Sequence, residues 1–542
     1  MYDIVIQSLI KLNRKGYRFL SGPFHGVHMA ENIAMLSMCI VFVLIGIQKI
    51  RYPGIHYDEV LFGNAALGMI DSSFVSFAFH GVPIHLMAYI GALKAYIYYP
   101  IFAFFGVSYE TIRIPSILLT AGSLIILCKA TQRLLSTRVA LITLALLSVD
   151  PSLIAHTRTD IGPTALEFFL KIVAFYSYVY FLTTKRAQYV YALLIALFLG
   201  VFNKLNFIWT VNAFVIGALL LHRNEWITSL KQVKFWRIIF ILLGFLLTYV
   251  YFVSVSLHYN VFDIQYSSLT FTQHVTQQIK LLSSLLDGSI FYLWMSHIPL
   301  KTAFPTAIYT ALLICAAAIV RCKMRGERSV IVFILILNLV TAMQIVLTRS
   351  ATAPWHTMSL YPFITILSAI SIDTLAHNLT KKFKIRRDIL VILFVIPILI
   401  SSALTYSHYL DMYQKPISHP AWSNRIDEVI EYTKLHKNTY VSIDWGIHNQ
   451  LRVMNQHATL YDHWGLLNNP LNIEQEKYYV NEFLEPGKKV IFITHGSKFI
   501  SFPSATIQLQ RLAEKHSIQI VKIKDIREGN DVLFEFYQTK QK

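Results

Sequence analysis

The sequence predicts a polytopic membrane protein that is mainly α-helical and ends in a small soluble α/β domain. Of its 542 residues, 55% are hydrophobic and 14% are charged, whereas soluble proteins carry about a quarter charged residues. Apolar runs recur from Ile33 to Leu404, and the sequence from about Pro420 onward has the composition of a soluble protein. A transmembrane helix bundle followed by one domain in water therefore fits the whole chain.

Eleven apolar runs approach the length of ~20 residues that a membrane-spanning helix needs. The predicted spans are residues 32–48, 113–132, 138–155, 163–184, 187–202, 206–221, 236–257, 303–321, 329–347, 358–378 and 388–405. A further run, 86–106, carries Lys94 at its middle and several tyrosines. We predict that this run is a helix lying along the outer membrane surface, with its lysine reaching water.

The basic residues indicate which loops face the cytoplasm. They cluster in six segments, at 11–18, 133–138, 185–186, 223–237, 321–328 and 381–387. If 86–106 lies along the surface, all six segments fall on one side of the bundle, and basic loops are typical of the cytoplasmic side. The predicted domains are a cytoplasmic segment 1–31, a transmembrane domain 32–405 whose first external loop is 49–112, and an external domain 406–542.

Charge and cysteine content exclude other classes of protein. The net charge of +18 does not indicate a nucleic-acid partner, because the basic residues lie in the short loops. The four cysteines lie in or beside apolar segments, with no CxxC and no metal-type Cys/His spacing, so no disulfide framework is predicted. No Asn-x-Ser/Thr sequence occurs on the predicted outer side, which favours a bacterial inner membrane.

Strand and helix patterns alternate in the external domain. The predicted strands are Thr439–Ile443, Lys489–Thr494, Ile518–Lys522 and Val532–Tyr537, and the predicted helices lie near 422–436, 473–485 and 505–515. This order is compatible with a partly parallel sheet. The turns at 444–446 and 462–465 are aromatic and acidic, as carbohydrate-contacting loops often are, although turn chemistry explains them equally well.

The first candidate for chemistry is the acidic pair Asp58-Glu59, which follows the first predicted span. This position lies where the chain meets water at the outer membrane surface. A carboxylate held there can act as a general base toward a hydroxyl group. The alternative is that both acids are merely solvated residues at a helix end.

A second polar group caps the outer end of the third predicted span. Arg158 and Asp160 are two positions apart, so on an extended chain their side chains would point the same way. They either form a buried pair that braces a helix hairpin or belong to a site. Ionisable groups at membrane depth are expensive to bury and usually functional, which favours a site.

Several cations are predicted on the same outer face. Lys204 lies in a polar break between two apolar runs, and Arg349 and His356 follow the ninth span. A guanidinium matches a phosphate with paired donors; the alternatives are a snorkelling lysine and a lipid-headgroup anchor. The first external loop adds Lys94, His80, His85 and Arg113.

Acids and cations on one face of a bundle suit a lipid-linked substrate with a phosphate at the membrane surface. The cations would stabilise the phosphate as it leaves, and the acid would activate the incoming hydroxyl. Two or three carboxylates on one face could also bind a divalent cation, but no further ligands are evident. The sequence therefore leaves a divalent metal as an open, unsupported alternative and predicts no other cofactor.

These residues resemble the multi-spanning glycosyltransferases of the GT-C type, in particular the family-39-like group related to protein O-mannosyltransferases and the lipid A aminoarabinose transferase. Asp58-Glu59 matches the acidic pair in that family's first external loop. The segment 106–116 resembles its G-x-S…R-x-P-S motif, 157–163 its R-x-D-x-G-P signature, and 200–209 and 356–363 two later membrane segments. The resemblance covers about residues 30 to 410.

The resemblance implies a GT-C-like bundle that uses a polyprenyl-phosphate-linked sugar as donor. Transfer would go to a hydroxyl-bearing glycan, lipid or protein and would invert the anomeric centre. Asp58 would then be the general base, with Glu59 and Asp160 assisting. The lipid A branch has a Glu-Lys-Pro motif in the first loop, whereas the corresponding stretch here is 79–83, Phe-His-Gly-Val-Pro, which argues against lipid A or aminoarabinose as substrate. Lys94 could supply the missing cation.

Two other functions are compatible with a membrane bundle of this kind. A transporter or flippase of a lipid-linked sugar would need polar groups through the bundle, whereas the charges of the predicted spans gather near their outer ends. A scaffold without chemistry would leave the clustering of acids and cations to chance.

Overall fold

The computed structural model describes residues 25–69, 75–230, 235–258, 270–300, 302–322, 325–415, 417, 419–485 and 487–541. Most of the predicted segment 1–31, with its basic cluster at 11–18, lies outside the described residues, as do Lys231, Lys234 and Lys323 of the other basic loops.

Long helices dominate the part of the chain before residue 415. They are α1 (His25–Ile47), α2 (Tyr57–Ala66), α3 (Leu93–Phe105), α4 (Tyr109–Leu134), α5 (Thr137–Ser148), α6 (Pro151–Thr159), α7 (Thr164–Thr184), α8 (Ala187–Asn203), α9 (Ile208–Leu230), α10 (Phe235–His258), α11 (Phe271–Leu286), α12 (Ile290–Ser296), α13 (Ala303–Cys322), α14 (Arg325–Leu347), α15 (Pro354–Thr357), α16 (Phe363–Phe383) and α17 (Arg387–Gln414). Their fully buried side chains, such as Leu124, Leu147, Phe175 and Ile366, form one large core. The predicted helix bundle is therefore confirmed.

Fewer helices than the eleven predicted spans meet the requirements for crossing a membrane. In the described part of the chain, eight are long and apolar enough, or nine if the pair α5 and α6 forms one span. The prediction of one continuous span at 138–155 is wrong, because α5 and α6 are bent by 60°. Asp150 caps α6 through the Leu153 N–H at 2.8 Å, and Pro151 opens the helix, a combination that starts a new helix.

The predicted surface helix at 86–106 is only partly correct. The helix α3 begins at Leu93, and the residues before it form an antiparallel sheet of β1 (Phe77–Phe79), β2 (Val82–Met87) and β3 (Ile90–Gly91). Lys94 does not reach water, since only 3% of it is exposed. The prediction failed because nothing local in the sequence reveals the buried carboxylate that holds this lysine.

The C-terminal domain, predicted above to be external, contains a five-stranded sheet with helices packed on it. Its elements are α18 (Ile426–Leu435), β4 (Thr439–Ser442), α19 (His448–Met454), β5 (Thr459–Asp462), α20 (Trp464–Leu467), α21 (Ile473–Tyr479), β6 (Val490–His495), α22 (Pro503–Lys515), β7 (Ile518–Glu528) and β8 (Asp531–Gln541). The strand order is β5-β4-β6-β8-β7, parallel among the first three and antiparallel beyond them. The sheet is partly parallel, as the sequence predicts, but the sequence analysis missed β5.

The helix α2 and the C-terminal domain share a second core. Val60 and Phe62 of α2 are fully buried in the same cluster as Val429 of α18 and Phe534 of β8. Fully burying a side chain of this size stabilises a fold by roughly 1.5–3 kcal/mol. The C-terminal domain is therefore packed directly on the helix that begins at the acidic pair.

Candidate active site

The N-terminal turn of α2 determines where the two acids point. His56 caps the helix: its Nδ1 accepts from the Asp58 N–H at 3.1 Å, and the Glu59 carboxylate accepts from the His56 N–H at 3.2 Å. This reciprocal capping box turns Glu59 inward. Glu59 is buried, whereas Asp58 is half-buried.

Glu59 is held by a cation from α4. Arg113 Nε donates to Glu59 Oε1 at 2.6 Å, and Arg113 Nη2 donates to Oε2 at 2.9 Å. The same guanidinium donates to the carbonyl oxygens of Ile50, Pro53 and Gly54. Both side chains are buried, and a buried pair of this kind is stable only while both partners remain. Glu59 and Arg113 therefore brace the loop before α2 and do not face a substrate.

Asp160 is held in a similar way. Lys94 Nζ lies 2.6 Å from Asp160 Oδ2, and Ser116 donates to Oδ2 while Thr164 and the Ala165 N–H donate to Oδ1. Burial by itself would raise the pKa of Asp160, but the Lys94 ammonium and these donors hold it below its ordinary value. The carboxylate thus stays ionised and fixes the start of α7.

Arg158 and Asp160 do not form the buried pair that was one of the two alternatives in the sequence analysis. Arg158 lies on the helix α6 rather than on extended chain, so the two side chains diverge. Its guanidinium donates to the carbonyl oxygens of Gly46, Gln48, Lys49 and Tyr52. Arg158 therefore satisfies the carbonyl groups that the end of α1 leaves unpaired.

Asp58 and Lys204 differ from these residues because neither side chain has a direct polar partner among the described residues. Lys204 follows α8 and is 4% exposed. Burial raises the pKa of Asp58 to about 6, although the positive charge of Lys204 opposes the rise. Burial lowers the pKa of Lys204, opposed by the charges of Glu167, Asp58 and Asp160. A carboxylate and an ammonium thus lie within electrostatic reach of each other.

Aromatic side chains connect the start of α2 to the surroundings of Lys204. The His56 ring stacks on Trp422 at 4.4 Å, Trp422 contacts Trp294, and Trp294 lies 5.1 Å from Trp355. The Lys204 ammonium lies 5.7 Å from the centre of the Trp355 ring. A continuous row of aromatic rings therefore runs from the start of α2 to Lys204.

The other predicted cations do not place a buried positive charge at this site. Burial and the charge of Lys204 lower the pKa of His356 to about 3, so it lies near the site but is neutral. His85 is buried against Tyr251 at 4.1 Å, which is aromatic packing. His80 and Arg349 are exposed.

Glu167 and Lys171 lie next to this site and were not among the predicted site residues. Lys171 donates to the carbonyl oxygens of Ser359 and Tyr361, and Ser359 donates to Glu167. With His156 they line a narrow cavity of about 10 Å³ beside Trp355, room for about one water. Glu167 and Lys171 lie four positions apart inside an apolar helix, and that spacing of opposite charges was a usable signal.

Metal binding has no further support in the described residues, where no three His, Cys, Asp or Glu side chains come together as ligands. The chemistry that the arrangement offers is that of a half-buried carboxylate whose pKa is close to neutral and a buried ammonium beside it.

The comparisons with known proteins agree with this fold. Residues 92–252 match the family model described as dolichyl-phosphate-mannose-protein mannosyltransferase, a segment that contains Lys94, Arg113, Arg158, Asp160 and Lys204. A search of curated protein sequences finds no match.

Two solved structures are similar over nearly the whole chain. ArnT from Cupriavidus metallidurans bound to undecaprenyl phosphate is 12% identical, with a TM-score of 0.58 over 93% of this chain and 97% of that one. The same protein in the apo state is 11% identical, with a TM-score of 0.58 over 94% and 98%. The motif resemblance is confirmed at this level: the chain has the GT-C fold of multi-spanning membrane glycosyltransferases.

Proposed function

We propose that the protein is a membrane glycosyltransferase that moves a sugar from a polyprenyl-phosphate donor to a hydroxyl-bearing acceptor. The observation that carries the proposal is that the side chains of Asp58 and Lys204 have no hydrogen-bond or ion-pair partner within the described residues, whereas the nearby pairs Glu59 with Arg113 and Lys94 with Asp160 are joined. The matched family and the undecaprenyl phosphate bound to the ArnT structure support a polyprenyl phosphate as carrier.

Asp58 acts as the general base in this proposal. Its carboxylate accepts the proton of the acceptor hydroxyl while that oxygen attacks the anomeric carbon of the donor. The bond between this carbon and the phosphate oxygen breaks, and its electron pair leaves with the phosphate. Attack from the face opposite the leaving group inverts the anomeric centre. A carboxyl whose pKa is about 6 is well matched to this proton transfer near neutral pH.

Lys204 stabilises the charge that develops on the departing phosphate. An ammonium already desolvated and held in place needs little reorganisation during the reaction, and its effect is larger than it would be in water. His356, which is neutral and packs near Trp355 at 5.8 Å, adds a hydrogen-bonding group but no charge. Arg349 is exposed and in this scheme acts on the approaching donor.

Glu59 and Asp160 assist as positioning residues in this scheme. Glu59 holds the first turn of α2, on which Asp58 sits, and Asp160 holds the start of α7. Because α2 and the external domain share one core, the reaction and the C-terminal domain belong to the same side of the bundle. We place that side outside, in a bacterial inner membrane, from the distribution of basic loops.

The proposal is tested with purified protein in lipid nanodiscs and a panel of polyprenyl-phosphate sugars. We expect free polyprenyl phosphate to appear together with a sugar covalently attached to an added acceptor, and Asp58→Asn to abolish both. Movement of the intact donor between the leaflets of vesicles without any cleavage would instead establish a flippase and contradict the proposal.

A further inference from the structure

The carboxyl edge of the external sheet faces the start of α2. The parallel strands β4, β5 and β6 end at this edge, where Asp444, Asp462 and His495 lie. Across the edge, the Trp445 ring lies 4.5 Å from that of Tyr57, the residue before Asp58. Ligands of open α/β sheets bind at the carboxyl ends of the strands, so this edge is placed to hold a molecule beside Asp58.

The loop that carries Trp445 is fixed from beneath. The fully buried Asp444 carboxylate lies 2.7 Å from His495 Nδ1 and accepts the backbone N–H groups of Trp445, Ser501 and Phe502 at 2.9 to 3.1 Å. Such a network holds a loop in one conformation. The Trp445 side chain remains half-buried, so part of its ring is available as a rigid platform.

A buried amide with unused hydrogen-bonding capacity lies next to this ring. Asn449 is 1% exposed, and neither its side-chain nitrogen nor its side-chain oxygen makes a hydrogen bond within the described residues. Its backbone carbonyl accepts from Asn64 Nδ2 of α2 at 3.1 Å, which fixes its position against the catalytic helix. Buried polar groups are nearly always satisfied, and beside its polar contact with Tyr57 this amide keeps hydrogen-bonding capacity for a ligand.

Tyr57 lies between α2 and the C-terminal domain, because its ring centre is 4.5 Å from that of Trp445. Burial raises the pKa of Tyr57, the charges of Asp58 and Asp462 raise it further, and polar contacts with Trp445 and Asn449 oppose the rise. Aromatic, amide and carboxylate groups thus lie around this phenol.

Resting on the glycosyltransferase function proposed above, we propose that Tyr57, Trp445, Asn449 and Asp462 bind a neutral sugar unit of the acceptor, so that the acceptor is a glycan. The apolar C–H face of a sugar ring packs on an aromatic ring, and carboxylate and amide groups bind its hydroxyls in pairs. An anionic group would be repelled by Asp58 and Asp462. Tyr57 and Asp58 are consecutive residues in the first turn of α2, so a sugar held at Tyr57 lies close to the base.

The test is saturation-transfer NMR on the full-length protein in phosphocholine nanodiscs free of sugar-based detergent. The probes are neutral disaccharides of glucose, mannose and galactose, with a serine-containing peptide beside them. We expect at least one disaccharide to bind the wild type and binding to Trp445→Ala to be weaker by about tenfold, as for loss of an aromatic platform. Asn449→Ala tests the amide in the same assay.

Trp464→Ala is the matched control, because Trp464 lies at the same edge but stacks on Phe502 at 4.4 Å and not on Tyr57. It should leave saccharide binding unchanged. Undecaprenyl phosphate binding is measured on the same samples and should be retained in all three variants. The inference is overturned if saturation is transferred to the peptide and to no disaccharide, or if the wild type and Trp445→Ala bind the saccharide equally. If the wild type binds undecaprenyl phosphate but no saccharide, the inference is wrong and the proposed function stands. If it binds neither, both are wrong.

Discussion

Two sets of charges near the start of α2 contain the same kinds of residue and use them in opposite ways. In the braced pairs, Glu59 with Arg113 and Lys94 with Asp160, each charge lies 2.6 Å from its partner and is buried. In the open pair, Asp58 and Lys204 interact only through space. A charge that is already neutralised holds a fold together, whereas a desolvated charge without a partner is available to a substrate.

Loss of the base should have the largest effect on activity. Asp58→Asn keeps the shape of the side chain and the capping box, which uses its backbone N–H, but cannot accept the proton. We expect transfer to fall by about 10²–10⁴-fold, the usual contribution of a general base, with unchanged thermal stability. The measurement is initial-rate transfer at saturating donor, and a variant that retains more than half of the wild-type rate would contradict the assignment.

Removal of the Lys204 ammonium should have the next largest effect on activity. Lys204→Met keeps the length and apolar stem of the side chain, and we expect a loss of about 10²–10³-fold in kcat, as for other groups that stabilise a developing anion. Lys171→Met is a comparison for the loss of a buried lysine whose ammonium is engaged by carbonyl groups. If both variants lose stability equally and kcat does not change, Lys204 is a structural residue.

Breaking a braced pair should reduce stability rather than chemistry. Arg113→Met leaves the Glu59 carboxylate buried and unpaired, and we expect the free energy of unfolding to fall by about 3–5 kcal/mol. The double variant Glu59→Gln with Arg113→Met should recover part of this loss because no charge remains buried. Unfolding in a denaturing detergent series measures both. Stability equal to the wild type in the single variant would show that the pair is not a brace.

The smallest expected effect is a shift of the pH profile. The ionised form of Asp58 is the active one, so the rate should rise as pH increases through about 6. Lys204 lowers the pKa of Asp58, so Lys204→Met should move this rising limb to higher pH. The residual activity of the variant is measured between about pH 5 and about pH 8, a range that includes the pKa of Asp58. The direction in which the rising limb moves is the result. A shift toward lower pH would contradict the coupling.

The sequence predicted the helix bundle because hydropathy and charge are local properties, and it placed the acids at the start of a helix outside the long apolar spans. It could not predict which acid faces inward, since that depends on Arg113, which lies 54 positions from Glu59. It also misassigned Lys94, whose partner Asp160 is 66 positions away. These contacts arise from packing between helices, which no short window of sequence records.

Arg158 shows a different limit of the sequence analysis. Its charge and its position beside Asp160 suggested a site, but its donors are used by carbonyl groups at the end of α1, more than 100 positions away. Glu167 and Lys171 show the reverse, because their spacing within a span was visible and was overlooked. Charges within apolar helices therefore need to be examined before those at the helix ends.

The central claim is that the open pair, and not the braced pairs or Arg158, receives the donor phosphate. The most direct measurement is a structure of the protein with undecaprenyl phosphate bound. The account predicts the phosphate at hydrogen-bond distance from Lys204 Nζ, about 3 Å, with the Asp58 carboxylate facing the carbon that the phosphate would carry. A phosphate bound by Arg158 or Arg113, or midway through the bundle and away from Asp58, would contradict it.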